Sequence, residues 1–89
     1  MNQAIADPEQ LRQFAKQLQA FAEELRGRGA ILAAQMNQLQ QSWRDDHQRK
    51  FSEEFSGQLR GLSRIVEASE QHVPYLLKKA DQLDAYLGR

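Results

Sequence analysis

One short run of this chain, Asp45-Asp46-His47, brings together side chains of the types that bind divalent metal ions. A protein metal site needs three or four ligands that converge on one point. Neighbouring residues at a helix start point about 100° apart, so this run does not supply such a set. A carboxylate there can instead accept a free backbone N–H. We therefore interpret Asp45 and Asp46 as capping residues and predict no metal site.

His72 is the second of the two histidines, the side chains whose ordinary pKa suits acid–base chemistry near neutral pH. At helical spacing from His72 there is no better acid–base partner than Ser69. The sequence also suggests no catalytic arrangement of a serine, a histidine and a carboxylate. The chain has no cysteine, which excludes thiol nucleophiles and Cys-based zinc sites. It also lacks a glycine-rich phosphate loop. We predict that the protein is not an enzyme and has no catalytic residues, no cofactor-binding residues and no cofactor.

Charge and hydropathy exclude two classes of partner. Twelve Lys and Arg balance twelve Asp and Glu, with four of each sign before Trp43 and eight of each after it. A broad basic surface for nucleic acid is therefore not expected. No stretch approaches the roughly 18–20 apolar residues of a membrane span, and the first residues lack the pattern of a signal peptide. We predict no nucleic-acid partner, no stable membrane insertion and, if the protein leaves the cell, an export route without a cleaved signal peptide.

The first half of the chain has the pattern of one long helix. Asp7 can cap it and Pro8 suits its first turn, which places the helix at about residues 8–42. Leucines recur every seven residues and two phenylalanines accompany them: Leu11, Leu18, Leu25, Leu32 and Leu39, with Phe14 and Phe21. This set predicts the seam of a coiled coil. A second column lies beside it and starts with small residues that let another helix approach closely: Ala15, Ala22, Gly29, Met36 and Trp43.

The second half predicts a second helix at about residues 47–87, after a turn at about residues 43–46. Its apolar positions alternate by steps of four and three residues without a slip: Phe55, Leu59, Leu62, Val66, Ser69, Val73, Leu76, Ala80, Leu83 and Leu87. Such regularity is typical of a coiled-coil helix. Pro74 removes one backbone hydrogen bond. We expect a kink at about residues 70–74, with two separate helices as the alternative.

These patterns predict an all-α fold, one domain over residues 1–89, built as an antiparallel two-helix hairpin. A lone hairpin would leave its outer apolar edges in water, namely Phe51, Ile65 and Leu77 on one helix and Met36 and Trp43 on the other. Two hairpins packed together would cover them, so we expect a dimer that forms a four-helix bundle. The residues predicted to form the core and the dimer contacts are Leu18, Leu25, Leu32, Met36, Leu39, Trp43, Phe51, Phe55, Leu59, Leu62 and Val66.

The turn carries the one specific motif. Trp43-Arg44-Asp45 lies almost midway along the chain, and aromatic residues follow the tryptophan at plus eight and plus twelve, as Phe51 and Phe55. In these features the sequence resembles the WXG family, the ESAT-like small helical hairpins of bacterial type VII (ESX) secretion systems, in which a Trp-x-Gly turn joins two helices. Asp45 stands at the position of the glycine, which marks a divergent member. Aspartate also suits turns and helix starts.

The resemblance implies a secreted substrate or adaptor that acts through protein–protein interaction, and not a catalyst. It implies a cytoplasmic protein before export, paired with itself as a homodimer or with a paralogous hairpin, and a type VII secretion ATPase as a further partner. The family's export signal, Tyr-x-x-x-Asp/Glu after the second helix, is not matched. Tyr75 is followed four residues later by Lys79, and Tyr86 has too few residues after it. Either export then depends on a partner that carries the signal, or the chain is a divergent homodimeric member.

Two alternatives remain at this point. The chain is either a type VII substrate or adaptor, or a structural dimerisation module of a cytoplasmic complex that is not secreted. Trp43 likewise has two interpretations. In the resemblance it helps to form a recognition surface together with the partner's export signal, whereas in the simpler interpretation it is an apolar plug that closes the end of the bundle.

Overall fold

Two antiparallel α-helices make up the structure. The computed structural model describes residues 6–88, so residues 1–5 and 89 of the expected domain lie outside it. α1 comprises Pro8–Leu39 and α2 comprises Asp46–Leu87. The extents of the molecule are 64 × 20 × 13 Å, and its smallest dimension is close to the diameter of one helix. The protein is therefore all-helical, with its helices side by side in a single layer.

The helix ends follow from local hydrogen bonding. Asp7 caps α1, because its carboxylate accepts the backbone N–H of Glu9 at 2.9 Å, and Pro8 occupies the first turn, where no N–H is needed. Gly88 ends α2 in the left-handed conformation, with φ of 76°, which glycine adopts without steric cost. α1 ends at Leu39 and not near residue 42 as expected, so the turn starts earlier than the sequence indicated.

Pro74 lies within α2, and the helix is assigned continuously from Asp46 to Leu87. The alternative of two separate helices therefore does not apply. The proline lacks an N–H, so the carbonyl of Glu70 has no helical donor from it. The side chain of Pro74 is exposed, where water can reach the freed backbone group.

The interface between the helices is formed by the small column of α1, which corrects the predicted seam. Ala15 is 1% exposed and Ala22 is 0% exposed, and Gly29 and Met36 are also buried. At Gly29 the approach is so close that an added Cβ would lie 3.3 Å from a side-chain carbon of Leu62. Short side chains on α1 thus let α2 pack directly against its backbone.

The leucine column was wrongly assigned as that interface. Leu18 and Leu25 are half-buried, whereas Leu32 and Leu39 are 45% and 43% exposed. Leu18, Leu25, Leu32 and Leu39 each stand three residues after a member of the buried column. That spacing places the leucines about 60° to one side of the column, at the border of the interface and not at its centre.

On α2 the alternating positions do face α1. Val66, Ser69, Ala80 and Leu83 are buried, and the other positions of the run are half-buried except Leu87 at the helix end, which is exposed. No side chain in the described part of the chain is both large and fully buried. A hairpin one layer thick can cover only one side of each helix. No helix of residues 6–88 is both long enough and apolar enough to cross a membrane.

We predict that Ala22→Leu lowers the free energy of unfolding by about 1–3 kcal/mol, because a larger side chain at a fully buried position must displace α2. Leucine and alanine have similar helix propensities, so packing decides the outcome. Chemical denaturation followed by circular dichroism measures the change. Ala34→Leu is the matched control, since Ala34 is exposed on the same helix. Equal stability of the two variants would contradict the assignment of the interface.

Candidate protein-interaction surfaces

The turn is ordered by hydrogen bonds back to the end of α1. The backbone N–H of Trp43 donates to the carbonyl of Leu39 at 2.9 Å, and the Arg44 side chain donates to the carbonyl of Gln40 at 3.3 Å. The amide of Gln40 also donates to the hydroxyl of Ser52 on α2 at 3.0 Å. The first two bonds supply donors for carbonyls that α1 leaves free at its C-terminus, and the third joins the end of α1 to α2. The first two residues of the Trp43-Arg44-Asp45 motif are therefore held against the end of α1.

Asp45 is the N-cap of α2, the role predicted for it or for Asp46. Its carboxylate accepts the backbone N–H of Gln48 at 2.9 Å. Its φ of −91° and ψ of −175° are extended values that any residue adopts, so this position does not require glycine. Aspartate is also the better cap. The local geometry thus explains why this turn accommodates aspartate as the third residue of the motif.

We predict that Asp45→Ala lowers the free energy of unfolding by about 0.5–2 kcal/mol through loss of the cap, and that Asp45→Gly lowers it by only a few tenths of a kcal/mol. Thermal and chemical unfolding at a fixed protein concentration would measure both effects, because association makes apparent stability depend on concentration. If the glycine variant were as unstable as the alanine variant, capping would not be the reason that Asp45 suits this position.

Three aromatic side chains pack in a row beside the turn. The ring centroids of Trp43 and Phe51 are 5.8 Å apart at an interplanar angle of 38°, and those of Phe51 and Phe55 are 5.8 Å apart and stacked at 10°. Both distances are in the range of favourable aromatic pairs. Trp43 and Phe55 are half-buried, whereas Phe51 is 43% exposed. The cluster supports the turn and also presents aromatic surface to solvent.

Ion pairs define one edge of the hairpin. Arg12 donates to Asp84 and, at 2.8 Å, to Asp81, and Arg26 donates to Glu70. The hydrogen bonds to Asp81 and then to Asp84 raise the pKa of the Arg12 guanidinium, which keeps it charged. All these pairs join α1 to α2, and we call this side the polar edge. These ion pairs were not predicted from the sequence. The spacing offered a signal, because Arg12 and Arg26 stand two heptads apart on one face of α1, and Glu70 and Asp84 do so on α2.

The opposite side of the hairpin is apolar. Phe14 and Phe21 immediately precede the buried Ala15 and Ala22, which places them about 100° from that column, whereas Arg12 lies about 60° to its other side. Ile65 precedes the buried Val66 in the same way on α2. Because the ion pairs join the helices along one side, these residues share the other. We call this side the apolar face, and its exposed members are Phe14, Phe21, Leu32, Leu39, Phe51, Ile65 and Tyr86.

The predicted contact residues divide between the interior and this face. Met36 and Val66 are buried; Leu18, Leu25, Trp43, Phe55, Leu59 and Leu62 are half-buried; Leu32, Leu39 and Phe51 are exposed. Met36 was expected on an outer edge and is instead only 9% exposed, because it continues the small column into the interface. Leu77, also expected on an outer edge, is 40% exposed. It stands seven residues after Glu70 and therefore lies on the polar edge, not on the apolar face.

The acidic residues near the turn have structural partners. Asp45 caps α2, and Asp46 forms an ion pair with Arg49 one helical turn later. Among residues 6–88, no group of histidine and acidic side chains converges as metal ligands would. His72 is exposed on α2. An open groove of about 280 Å³ lies between the helices, lined mainly by small and aliphatic residues that include Gly29, Ala30 and Leu62.

The geometry thus defines a class of protein, a small helical hairpin with a capped aromatic turn and one exposed apolar face. The family model of the WXG100 proteins, described as proteins of 100 residues with WXG, matches residues 3–86. The chain therefore belongs to the WXG100 family, as the Trp43 turn and its aromatic spacing predicted. No curated protein and no solved structure shows a significant match to the chain.

Proposed function

We propose that this protein is a type VII secretion substrate or adaptor that works by pairing with a second helical hairpin, either its own copy or a paralogue. Membership of the WXG100 family supports this, because the family comprises small helical secreted proteins and not enzymes. The observation that carries the proposal is the apolar face. It groups exposed phenylalanine, leucine and isoleucine side chains on one side of both helices.

The apolar face exposes several large apolar side chains on one side of the hairpin, as protein-interaction sites do. Phe14 is 58% exposed, Phe21 50% and Ile65 53%. At roughly 25 cal/mol per Å2, covering even 1,000 Å2 of apolar surface gives a gross gain on the order of 25 kcal/mol, which exceeds the cost of lost rigid-body freedom. A second hairpin laid on this face would complete a four-helix bundle. The polar edge, whose charges are already paired, stays in contact with water.

The turn would be free in such a bundle to contact the secretion machinery. Trp43 lies at one end of the hairpin and is only half-buried there. Export would proceed without a cleaved signal peptide, through recognition by a type VII ATPase. Tyr75 is followed four residues later by Lys79 and not by an acidic residue, so in a pair with a paralogue the export signal would come from the paralogue.

We predict that Phe21→Ser weakens pairing about tenfold or more, because truncation of a well-packed anchor side chain near the centre of an interface costs roughly 2 kcal/mol or more. Sedimentation velocity would show a shift from dimer toward monomer, with helical content unchanged because Phe21 is half exposed in the hairpin itself. Leu77→Ser is the matched control, as it removes similar exposed apolar surface from the polar edge. Equal weakening by both variants would refute the apolar face as the pairing surface.

We expect the wild-type protein in the culture medium of a bacterium with a type VII system, and only in the cells when the secretion ATPase is deleted. Retention in the cells in both strains would instead support a structural dimerisation module that is not secreted. Trp43→Ala separates the two roles of the tryptophan. If Trp43 contacts the machinery, export falls while the melting temperature and the dimer are retained. A parallel fall in melting temperature and export would mean that Trp43 is a structural plug.

A further inference from the structure

A polar depression lies beside the turn, on the same side of the hairpin as the polar edge. Its volume is about 400 Å³, and we call it the cradle; its lining residues are Gln40, Arg44, Gln48, Arg49, Ser52 and Glu53. Gln40 stands two heptads after Arg26 and so continues the column of the polar edge along α1. Phe51, by contrast, belongs to the apolar face. A second hairpin on the apolar face would therefore leave the cradle open to water.

Gln48 is the residue of the cradle whose burial needs an explanation. It is 7% exposed, so the protein covers more than nine-tenths of its surface. Its backbone N–H donates to the Asp45 carboxylate, but its side-chain amide makes no hydrogen bond to another residue of the range 6–88. Buried amides normally have partners, because burial without them costs free energy. An amide with its donor and its acceptor both unused thus lines the cradle.

The cradle also holds one unpaired charge of each sign. The Nε of Arg44 donates to the carbonyl of Gln40 at 3.3 Å, and within the described chain no carboxylate forms an ion pair with this guanidinium. Arg49, in contrast, is paired with Asp46. Glu53 has no ion pair with a described residue either, and it stands five residues after Gln48, about 7 Å further along α2. In chain order the cradle therefore offers a positive charge, an amide and a negative charge.

These groups match a peptide backbone better than a single ion. The side-chain amide of Gln48 donates and accepts at neighbouring atoms, and a peptide group supplies the complementary C=O and N–H. A simple anion would leave the acceptor of Gln48 without a donor and would be repelled by Glu53. A simple cation would leave the donor of Gln48 unused and would be repelled by Arg44. A ligand that satisfies the whole set has an amide group between two opposite charges.

We propose that the cradle binds an extended segment of a partner protein, whose backbone pairs with the buried amide of Gln48. The segment carries an acidic side chain that pairs with Arg44 and a basic side chain that pairs with Glu53. The acidic end then lies at the N-terminus of α2, where the helix dipole favours negative charge. Residues of an extended chain are roughly 3.3 Å apart, so the basic residue lies about two positions beyond the peptide group bound by Gln48.

The first measurement asks whether the Gln48 amide is unused in the folded protein. Gln48→Leu replaces it with an apolar side chain of similar size, so the melting temperature should stay the same or rise, because no internal hydrogen bond is lost. Gln71→Leu is the matched control, since Gln71 is exposed on the same helix. A melting temperature lowered only by Gln48→Leu would mean that the amide is bonded within the fold, and the site would be overturned.

The second measurement selects the segment itself. Phage-displayed random heptapeptides, first depleted on Gln48→Leu and then captured on the wild-type protein, should yield sequences with an acidic residue and a basic residue a few positions apart. Synthetic copies are then titrated by calorimetry. Gln48→Leu should bind them about tenfold more weakly or worse, since the paired peptide group loses both of its hydrogen bonds. Gln71→Leu should bind them as the wild type does. If no peptide depends on Gln48, the proposal is overturned.

Charge exchange tests the direction of the segment. Glu53→Arg should weaken the selected peptide about tenfold, and a peptide with glutamate in place of its basic residue should regain the lost affinity for this variant alone. Equal binding of both peptides to Glu53→Arg would overturn the assignment of Glu53. Inorganic phosphate and acetate are the competing probes, with sodium chloride at the same ionic strength as their control. Specific displacement of the peptide by either anion would identify an anion site instead of a peptide site.

The cradle and the apolar face can be tested apart. Gln48→Leu should sediment as the wild type does, because the cradle lies outside the apolar face. Phe21→Ser should bind the selected peptides with unchanged affinity for the same reason. Loss of peptide binding in Phe21→Ser would place the peptide on the apolar face and would overturn the cradle as its site, whatever the outcome for pairing and export.

Discussion

The close contact between α1 and α2 depends on side-chain size. Alanine and glycine occupy the centre of the α1 interface, so the two helix axes can approach and the seam positions of α2 pack against the α1 backbone. The molecule is then only one layer thick, and each helix can bury one side and no more. Because the short residues of α1 form the contact with α2, the larger residues of α1 lie outside that contact. This is why its phenylalanines and several of its leucines are exposed.

Helix ends and the α2 interface were predictable from sequence because their causes are local. Asp7 with Pro8 and Asp45 with Gln48 are capping arrangements that depend only on neighbouring residues. The steps of four and three residues on α2 identify one narrow stripe, and most of that stripe faces α1. The turn was equally recognisable, since Trp43 and the aromatic residues after it form a cluster in the structure as their spacing suggested.

The assignment of α1 failed because the helix has two candidate columns and sequence favours the more hydrophobic one. Leucine was chosen over alanine, although close helix packing prefers the smaller residue. As a result, Met36 was expected on an outer edge and is buried, whereas Leu32 and Leu39 were expected in the seam and are exposed. It also hid the ion pairs, whose partners are set by the relative rotation of the helices and are not visible in either helix alone. The candidate surface therefore needed the structure, whereas the family and the hairpin did not.

Arg12, Asp81 and Asp84 hold the end of the hairpin that is farthest from the turn. The sequence separation across the hairpin grows from 12 residues between Gln40 and Ser52 to 72 residues between Arg12 and Asp84. Contacts beside the turn therefore close short loops, and those at the open end close long ones at greater entropic cost. Folding is favoured to start at Trp43 and advance toward Arg12, and opening follows the reverse order. The ion pairs of Arg12 with Asp81 and Asp84 are therefore the last contacts between the helices to form and the first to open.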